Sequence, residues 1–315
     1  MSFTERDRLR RERELHQRRR ARLLAIGGLA SLIVGVLVAA ALATSGGGSA
    51  ASTGSSTTLN SGSTSARSTG STTRSTTPAP GRLAVPILVY HVINNAPAST
   101  NSPQLYVPVS EFTAQMQALK SAGWHAVTLD QVEAFWAHGK ALGTAKPIVL
   151  TFDVGYASVY NNALPVLRQL GWAGVLDYES SGLAVSDGGL ADSQVRGLVS
   201  AGWELDSEGV NAADLTTLGS SGLQTQVAGA RQTLQSSYGV HANWFAYPGG
   251  SYNSTVIAAL KSAGFTGGLT TVAGWASSHE STYALPRLVV APGTSPSALL
   301  SQIAAARNAA APPTT

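Results

Sequence analysis

Acidic side chains collect in the middle of the C-terminal part of the chain, and several follow short apolar runs. Residues 83–315 hold thirteen Asp and Glu, of which eight lie between positions 153 and 208. Neighbouring carboxyl groups can exchange protons with a substrate or hold a divalent cation. The acids that follow predicted strands, and that mark the expected site, are Asp153, Asp177, Glu179, Asp206 and Glu208.

The residue types alone leave two chemistries open. Asp153 and Glu208 could act as the carboxylate pair of a glycoside hydrolase if their carboxyl groups lie roughly 5 to 9.5 Å apart. Alternatively, His91 and Asp206 could join those two acids around a cation, and such an oxygen-rich site suits manganese, magnesium or calcium better than zinc. His91 also has a simpler interpretation, as a hydrogen-bonded structural residue beside Tyr90.

Strand-like and helix-like segments alternate along residues 83–305. A helix is predicted from Ser110, because Phe112, Met116 and Leu119 recur at helical spacing. Repeated strand and helix predict an α/β fold with a parallel sheet, open or closed into a barrel, whose site lies at the strand C-termini. The predicted strands are residues 85–90, 125–129, 148–152, 174–176, 203–205, 244–247, 267–269 and 288–290.

Two segments together resemble the polysaccharide deacetylases, the NodB homology family similar to carbohydrate esterase family 4. Residues 147–156 read PIVLTFDVGY and residues 202–215 read GWELDSEGVNAADL, similar to that family's TFDDG and His-x-x-x-His motifs. VPILVYH at 85–91, FAYPG at 245–249 and LPRLV at 285–289 stand in the family's order. The resemblance covers about residues 83–293 and implies a distorted (β/α) barrel of the glycoside hydrolase and deacetylase type.

The family's chemistry implies roles for individual positions. Its members bind a divalent metal, typically zinc, through an Asp and two His, and hydrolyse the N-acetyl group of a polysaccharide. Asp153 matches the general base, and the backbone N–H of Tyr247 matches the donor to the oxyanion. The residues at the three metal positions are Val154, Glu208 and Ala212, so the usual ligands are missing.

The departures extend to the family's late Leu-x-His motif, because the last His of this chain is His279, ahead of the final strand. We therefore expect no zinc site of the usual pattern and a catalytically impaired pseudoenzyme. Glu208, Asp206 and His91 remain as candidate metal ligands, which leaves an active deacetylase with non-standard ligands as the alternative. A purely structural or protein-binding module is a further alternative.

A retained cleft could bind cell-wall or capsular glycan through aromatic faces. The candidate side chains are Tyr156, Trp203, Tyr252 and Trp275. The region that holds them carries nine Lys and Arg against thirteen acids, which gives no basic surface for nucleic acid. We predict a glycan partner and no nucleic acid.

The N-terminal part predicts a membrane anchor. Residues 23–44 hold no charge and are long enough to span a bilayer, and nine Arg precede them in residues 1–22. This charge placement predicts a cytoplasmic tail and an extracytoplasmic C-terminal domain. The alternative is a signal peptide cleaved near Ala43, which would release a secreted protein.

Residues 45–82 are rich in Ser, Thr and Gly and predict a disordered linker. The folded domain is expected over residues 83–305, followed by a disordered Ala/Pro tail at 306–315. The chain has no cysteine, so its stability cannot depend on disulfides.

Overall fold

The computed structural model describes residues 80–309, in which a curled parallel sheet is surrounded by helices. The sheet order is β10-β1-β5-β6-β7-β8-β9, with β11 also paired to β1 and β4 to β5, and β2 pairs separately with β3. The strands are β1 Val85–Tyr90, β2 Val92–Ile93, β3 Tyr106–Val107, β4 Trp124–Ala126, β5 Lys146–Val154, β6 Val175–Tyr178, β7 Glu204–Ser207, β8 Trp244–Ala246, β9 Gly267–Leu269, β10 Trp275–Ala276 and β11 Leu288–Val289.

Helices connect most of the parallel strands. Two of them are extended at their N-terminal side by π-helical turns, at Val159–Ala163 and Gln224–Gly229. The helices are α1 Val109–Ser121, α2 Leu129–His138, α3 Leu164–Leu170, α4 Asp192–Ser200, α5 Ser220–Leu223, α6 Ala230–Tyr238, α7 Ser254–Ala263 and α8 Pro296–Ala306.

The segment 285–289 spans the gap between the two ends of the curled sheet. Leu285 forms a parallel bridge with Leu269 of β9, while Leu288 pairs with Leu88 of β1. Residue 287 therefore lies between the two edges of the sheet. This placement brings a side chain from the end of the domain into the interior of the barrel.

Apolar side chains fill both faces of the sheet, as expected for a parallel sheet covered by helices. One cluster, which includes Leu150 and Phe152, packs the outer face against helices. A second cluster, which includes Ile87, Val149 and Trp244, lies on the inner face. Along β5, alternate residues therefore point to the helices and to the barrel interior.

The predicted parallel α/β sheet is confirmed, although the ends of six of the eight predicted strands shift by one to three residues. The strand predicted at 125–129 ends at Ala126, because Thr128 begins α2 with a capping box in which Gln131 is the partner. The predicted tail, membrane helix and most of the linker lie outside the described residues. Between residues 80 and 309, no helix is both long and apolar enough to cross a bilayer.

Candidate functional site

Three of the predicted acids stand side by side on neighbouring strands. Asp153 on β5 is in register with Asp177 on β6, and Asp177 is in register with Asp206 on β7. Residues in register on parallel strands point to the same face of a sheet. All three side chains are buried. The sequence therefore folds into a row of acids across the inner face of the barrel.

Arg287 is a buried cation that binds two acids of this row, Asp153 and Asp177. Its Nη1 and Nη2 donate to the two carboxylate oxygens of Asp153 at 2.8 and 2.9 Å, a bidentate pair. Nη1 also donates to Asp177 Oδ2 at 3.1 Å and to Thr151 Oγ1 at 3.1 Å, while Nε donates to the carbonyl of Thr270 at 2.9 Å. Every nitrogen of the guanidinium group is therefore occupied inside the protein.

One Arg does not neutralise all of the buried acids around it. Burial lowers the pKa of Arg287, but Asp153 and Asp177 outweigh burial and raise it, so the guanidinium stays charged. Burial, followed by repulsion from Asp153, raises the pKa of Asp177 well above its usual range. The cluster therefore favours a protonated carboxyl beside the Arg287–Asp153 pair.

The position of the family's metal-binding Asp is filled by a buried apolar residue. Val154 is 4% exposed and packs in a small cluster with Val92, Leu105 and Tyr156. Its φ of +74° lies in the left-handed region, which β-branched residues rarely adopt. The backbone at this position is therefore strained. Separately, the side chain of Val154 carries no atom that could bind a metal.

Glu208, at the position of the first family His, uses one of its two carboxyl oxygens in an internal hydrogen bond. Its Oε2 accepts the backbone N–H of Val154 at 2.6 Å. Burial, followed by repulsion from Asp153, raises the pKa of Glu208 well above its usual range. The carboxyl that could have replaced a metal-binding His is thus tied to the strained backbone of the neighbouring strand.

The residues present do not fit the zinc site that the resemblance implies. Val154 and Ala212 have no donor atoms, and Glu208 is engaged by a backbone N–H. Over residues 80–309, no three His, Asp or Glu side chains are grouped closely enough to hold a metal ion. A tetrahedral site with three protein ligands cannot be built from this set.

The oxygen-rich alternative with His91 and Asp206 is not assembled either. Asp206 Oδ1 accepts the backbone N–H of Trp244 at 2.9 Å. His91 is half-buried, and burial lowers its pKa, while Asp153 raises it and Arg287 lowers it further. Because Arg287 holds both carboxylate oxygens of Asp153, this acid is also committed and poorly placed to act as one half of a glycosidase pair.

The backbone N–H predicted to stabilise an oxyanion is occupied. The N–H of Tyr247 donates to the carbonyl of Leu269 at 3.0 Å, as part of the contact between β8 and β9. The prediction for Tyr247 therefore does not hold in this structure, because a sheet hydrogen bond uses the donor.

The four predicted glycan-binding aromatic residues are not brought together. Trp203 is buried with its ring 5.1 Å from that of Phe152, and Tyr156 is buried as well, so neither presents a free face. Trp275 is half-buried but pairs with Pro86 at the start of β1, the opposite end of the barrel from Asp153. Tyr252 is half-buried beyond the C-terminal end of β8 and remains the suitable candidate.

The buried ion pair between Arg287 and Asp177 was not predicted from the sequence. The signal was present in LPRLV at 285–289, because an Arg inside an apolar strand-like segment must be buried with compensating acids. Asp177 was recognised only as one of several acids after strands. Pairing the two residues requires the barrel closure, which joins positions 110 residues apart.

Comparison with known proteins agrees with this architecture. The polysaccharide deacetylase family model matches residues 140–268. YxkH of Bacillus subtilis (strain 168), which carries the polysaccharide deacetylase name, is 30% identical over 222 residues, covering 70% of this chain and 76% of YxkH.

Solved structures share the fold. The deacetylase PplD of Streptococcus pyogenes, in complex with acetate, superposes with a TM-score of 0.66 at 24% identity, covering 71% of this chain and 99% of PplD. The polysaccharide deacetylase BC0361 of Bacillus cereus gives 0.62 at 23% identity, covering 70% and 69%. Together with the sequence relative and the shared motifs, these matches show that the chain belongs to the polysaccharide deacetylase family.

Proposed function

We propose that this chain is a glycan-binding member of the family that has lost metal-dependent hydrolysis and is held outside the cytoplasm by one membrane helix. The observation that carries the proposal is the hydrogen bond from Val154 N–H to Glu208, together with the bidentate ion pair between Arg287 and Asp153. The first contact engages Glu208, which stands at a metal-binding position of the family, and the second engages Asp153, which stands at the position of the general base. Cell-wall or capsular glycan is the partner.

Tyr252 supports the binding role. Its ring stacks on that of Tyr247 with centroids 5.0 Å apart and planes 19° from parallel. Tyr247 is buried, and its hydroxyl group donates a hydrogen bond to the carbonyl of Tyr283 at 2.8 Å, which fixes the ring of Tyr247. A half-buried ring held flat by a rigid neighbour suits the apolar face of a sugar.

The membrane location is supported by the charge pattern of residues 1–44, in which an Arg-rich segment precedes the uncharged run. As a flexible coil, the 38 residues from 45 to 82 would reach roughly 35 Å on average. That reach is sufficient to place the domain among envelope glycans.

Binding can be tested with the full-length chain in detergent, after chelator treatment, against chitin oligomers and peptidoglycan fragments. We expect saturable binding without added metal and no release of acetate. Tyr252→Ala should weaken binding by about tenfold, or roughly 1.4 kcal/mol. Trp275→Ala, a half-buried aromatic residue at the other end of the barrel, is the matched control and should bind as the native chain does.

Three outcomes would oppose the proposal. Acetate release that disappears on chelation would show an active metal enzyme. Absence of binding to every glycan would favour a structural or protein-binding module. Equal losses in Tyr252→Ala and Trp275→Ala would remove the assignment of the binding surface.

A further inference from the structure

A cleft opens at the end of the barrel opposite to Glu208. It has a volume of about 350 Å³ and lies where β7 begins and where the chain enters β8. Glu208 follows Glu204 by four residues along an extended chain, which separates the two by roughly 13 Å. The polar side chains that line the cleft include Thr128, Asp130, Gln131, Glu204, Asp206 and Asn243.

Two acids of this cleft each have one oxygen bound and one oxygen without a donor. Asp206 is 1% exposed, and its Oδ1 accepts the N–H of Trp244. Glu204 Oε2 accepts the N–H of Asp130 at 3.0 Å. Within the described part of the chain, no N–H or O–H group donates to Asp206 Oδ2 or Glu204 Oε1, and both atoms are buried.

The two carboxyl groups contact each other, which brings two acceptors together. Burial, followed by repulsion from Glu204, raises the pKa of Asp206 well above its usual range. Such a pair is stable only with a hydrogen between the oxygens, supplied by a shared proton or by a cationic donor. An ammonium group carries three donors and a charge that opposes the repulsion.

The remaining charges of the cleft also favour a cation. Asp130 adds a third carboxylate, held by Trp244 Nε1 at 3.0 Å and by Asn243 Nδ2 at 3.0 Å. Among the described lining residues, His241 is the one with a basic side chain. No group of three ligands suited to a metal ion is found in residues 80–309, so a monatomic cation is the poorer fit.

We propose that Glu204 and Asp206 form a binding site for a primary ammonium group, presented by a small molecule such as an amino sugar with a free amine. The site does not include Tyr252, to which glycan binding is assigned above, and it does not depend on the loss of hydrolysis. Either an amino sugar or a simple alkylammonium ion could supply the group, so the ligands tested must separate the two.

Trp244 reports directly on this site, because its backbone N–H binds Asp206 and its indole N–H binds Asp130. The full-length chain can be labelled with 5-fluorotryptophan, and the signal of Trp244 can be assigned with Trp244→Phe. Glucosamine and methylammonium are then titrated at constant ionic strength, with N-acetylglucosamine as the neutral analogue.

We expect a saturable shift of the Trp244 signal with glucosamine and none with N-acetylglucosamine. An equal response to methylammonium would show that the ammonium group alone is recognised, whereas a weaker response would add contacts from the sugar ring. No saturable shift with either amine, or an equal shift with N-acetylglucosamine, would overturn the proposal.

Substitutions provide the second test. Glu204→Gln and Asp206→Asn should weaken amine binding at least tenfold while raising the midpoint of thermal unfolding, since each removes a buried repulsion. Asp192→Asn, an exposed acid paired with Arg196, is the control and should bind normally. Undiminished binding by both cleft variants would contradict the assignment even if the native chain binds amines.

Discussion

Arg287 is the side chain whose removal should disturb the barrel most. It is fully buried and bonds two acids on adjacent strands together with Thr151 and the carbonyl of Thr270. Losing one partner of a buried ion pair leaves an unpaired charge in a low-dielectric interior.

We therefore predict that Arg287→Met lowers the free energy of unfolding by about 3 to 5 kcal/mol, measured by urea denaturation. Adding Asp153→Asn and Asp177→Asn to the same chain should recover at least half of this loss, because the uncompensated charges are then gone. A triple variant no more stable than Arg287→Met would show that packing, and not charge, is the larger contribution of the guanidinium group.

The strained backbone at Val154 gives a separate prediction. At an ordinary strand position, Ala is favoured over Gly, but a φ of +74° reverses that preference. Val154→Gly should therefore be more stable than Val154→Ala by about 1 kcal/mol, measured by urea denaturation. The same pair of substitutions at Val149, on the same strand, is the control and should show the opposite order.

The departures from the family motifs could be located from the sequence, but what replaced the ligands could not. Val154 and Ala212 have no side-chain atom that can bind a metal, so the loss of these two ligands can be read from the sequence. The hydrogen bond from Val154 N–H to Glu208 could not be predicted, because it joins residues 54 positions apart and because the valine itself gives no sign of its left-handed φ. The oxyanion assignment to Tyr247 failed because sheet pairing, which joins it to Leu269, is not encoded locally.

At the scale of elements, the register of β5, β6 and β7 buries acids side by side, and their burial affects how stability varies with pH. Burial raises the pKa of Asp177, Asp206 and Glu208 in the folded protein. In the unfolded chain these groups titrate near about 4. Above that pH the folded protein keeps protons that the unfolded chain releases, so stability falls as pH rises from there to the folded pKa values.

Urea unfolding at pH 5 and pH 8 should accordingly give the higher stability at pH 5. Asp206→Asn should reduce the difference between the two values. Asp192, whose pKa is lowered, contributes stability above its unfolded pKa that is lost only at lower pH, so Asp192→Asn should leave the difference unchanged. A native chain that is more stable at pH 8 would contradict the protonated row of acids.

The elements themselves were predictable where apolar periodicity or length was strong. The helix at α1 and the long strand β5 follow directly from their sequences. The two-residue strands β2, β3 and β10 were missed, because so short a pairing is defined by its partner and not by its own residues.

At the scale of the whole molecule, the absence of cysteine makes the proposed topology directly testable. Single cysteines can be introduced by Ser63→Cys in the linker and Ser2→Cys in the tail. On intact cells, a membrane-impermeant maleimide should label the first and should reach the second only after permeabilisation. Labelling of Ser2→Cys on intact cells would contradict the orientation, and loss of the tail from the mature protein would indicate cleavage.

The claim that the family's metal site has been replaced by internal contacts is tested most directly by zinc content. The full-length chain is loaded with zinc, dialysed and measured by mass spectrometry beside the variant Val154→Asp/Glu208→His/Ala212→His. We expect well under one equivalent in the native chain and a gain toward one in the variant. One equivalent retained by the native chain and lost in Glu208→Ala would contradict the claim and restore this protein to the metal-dependent hydrolases.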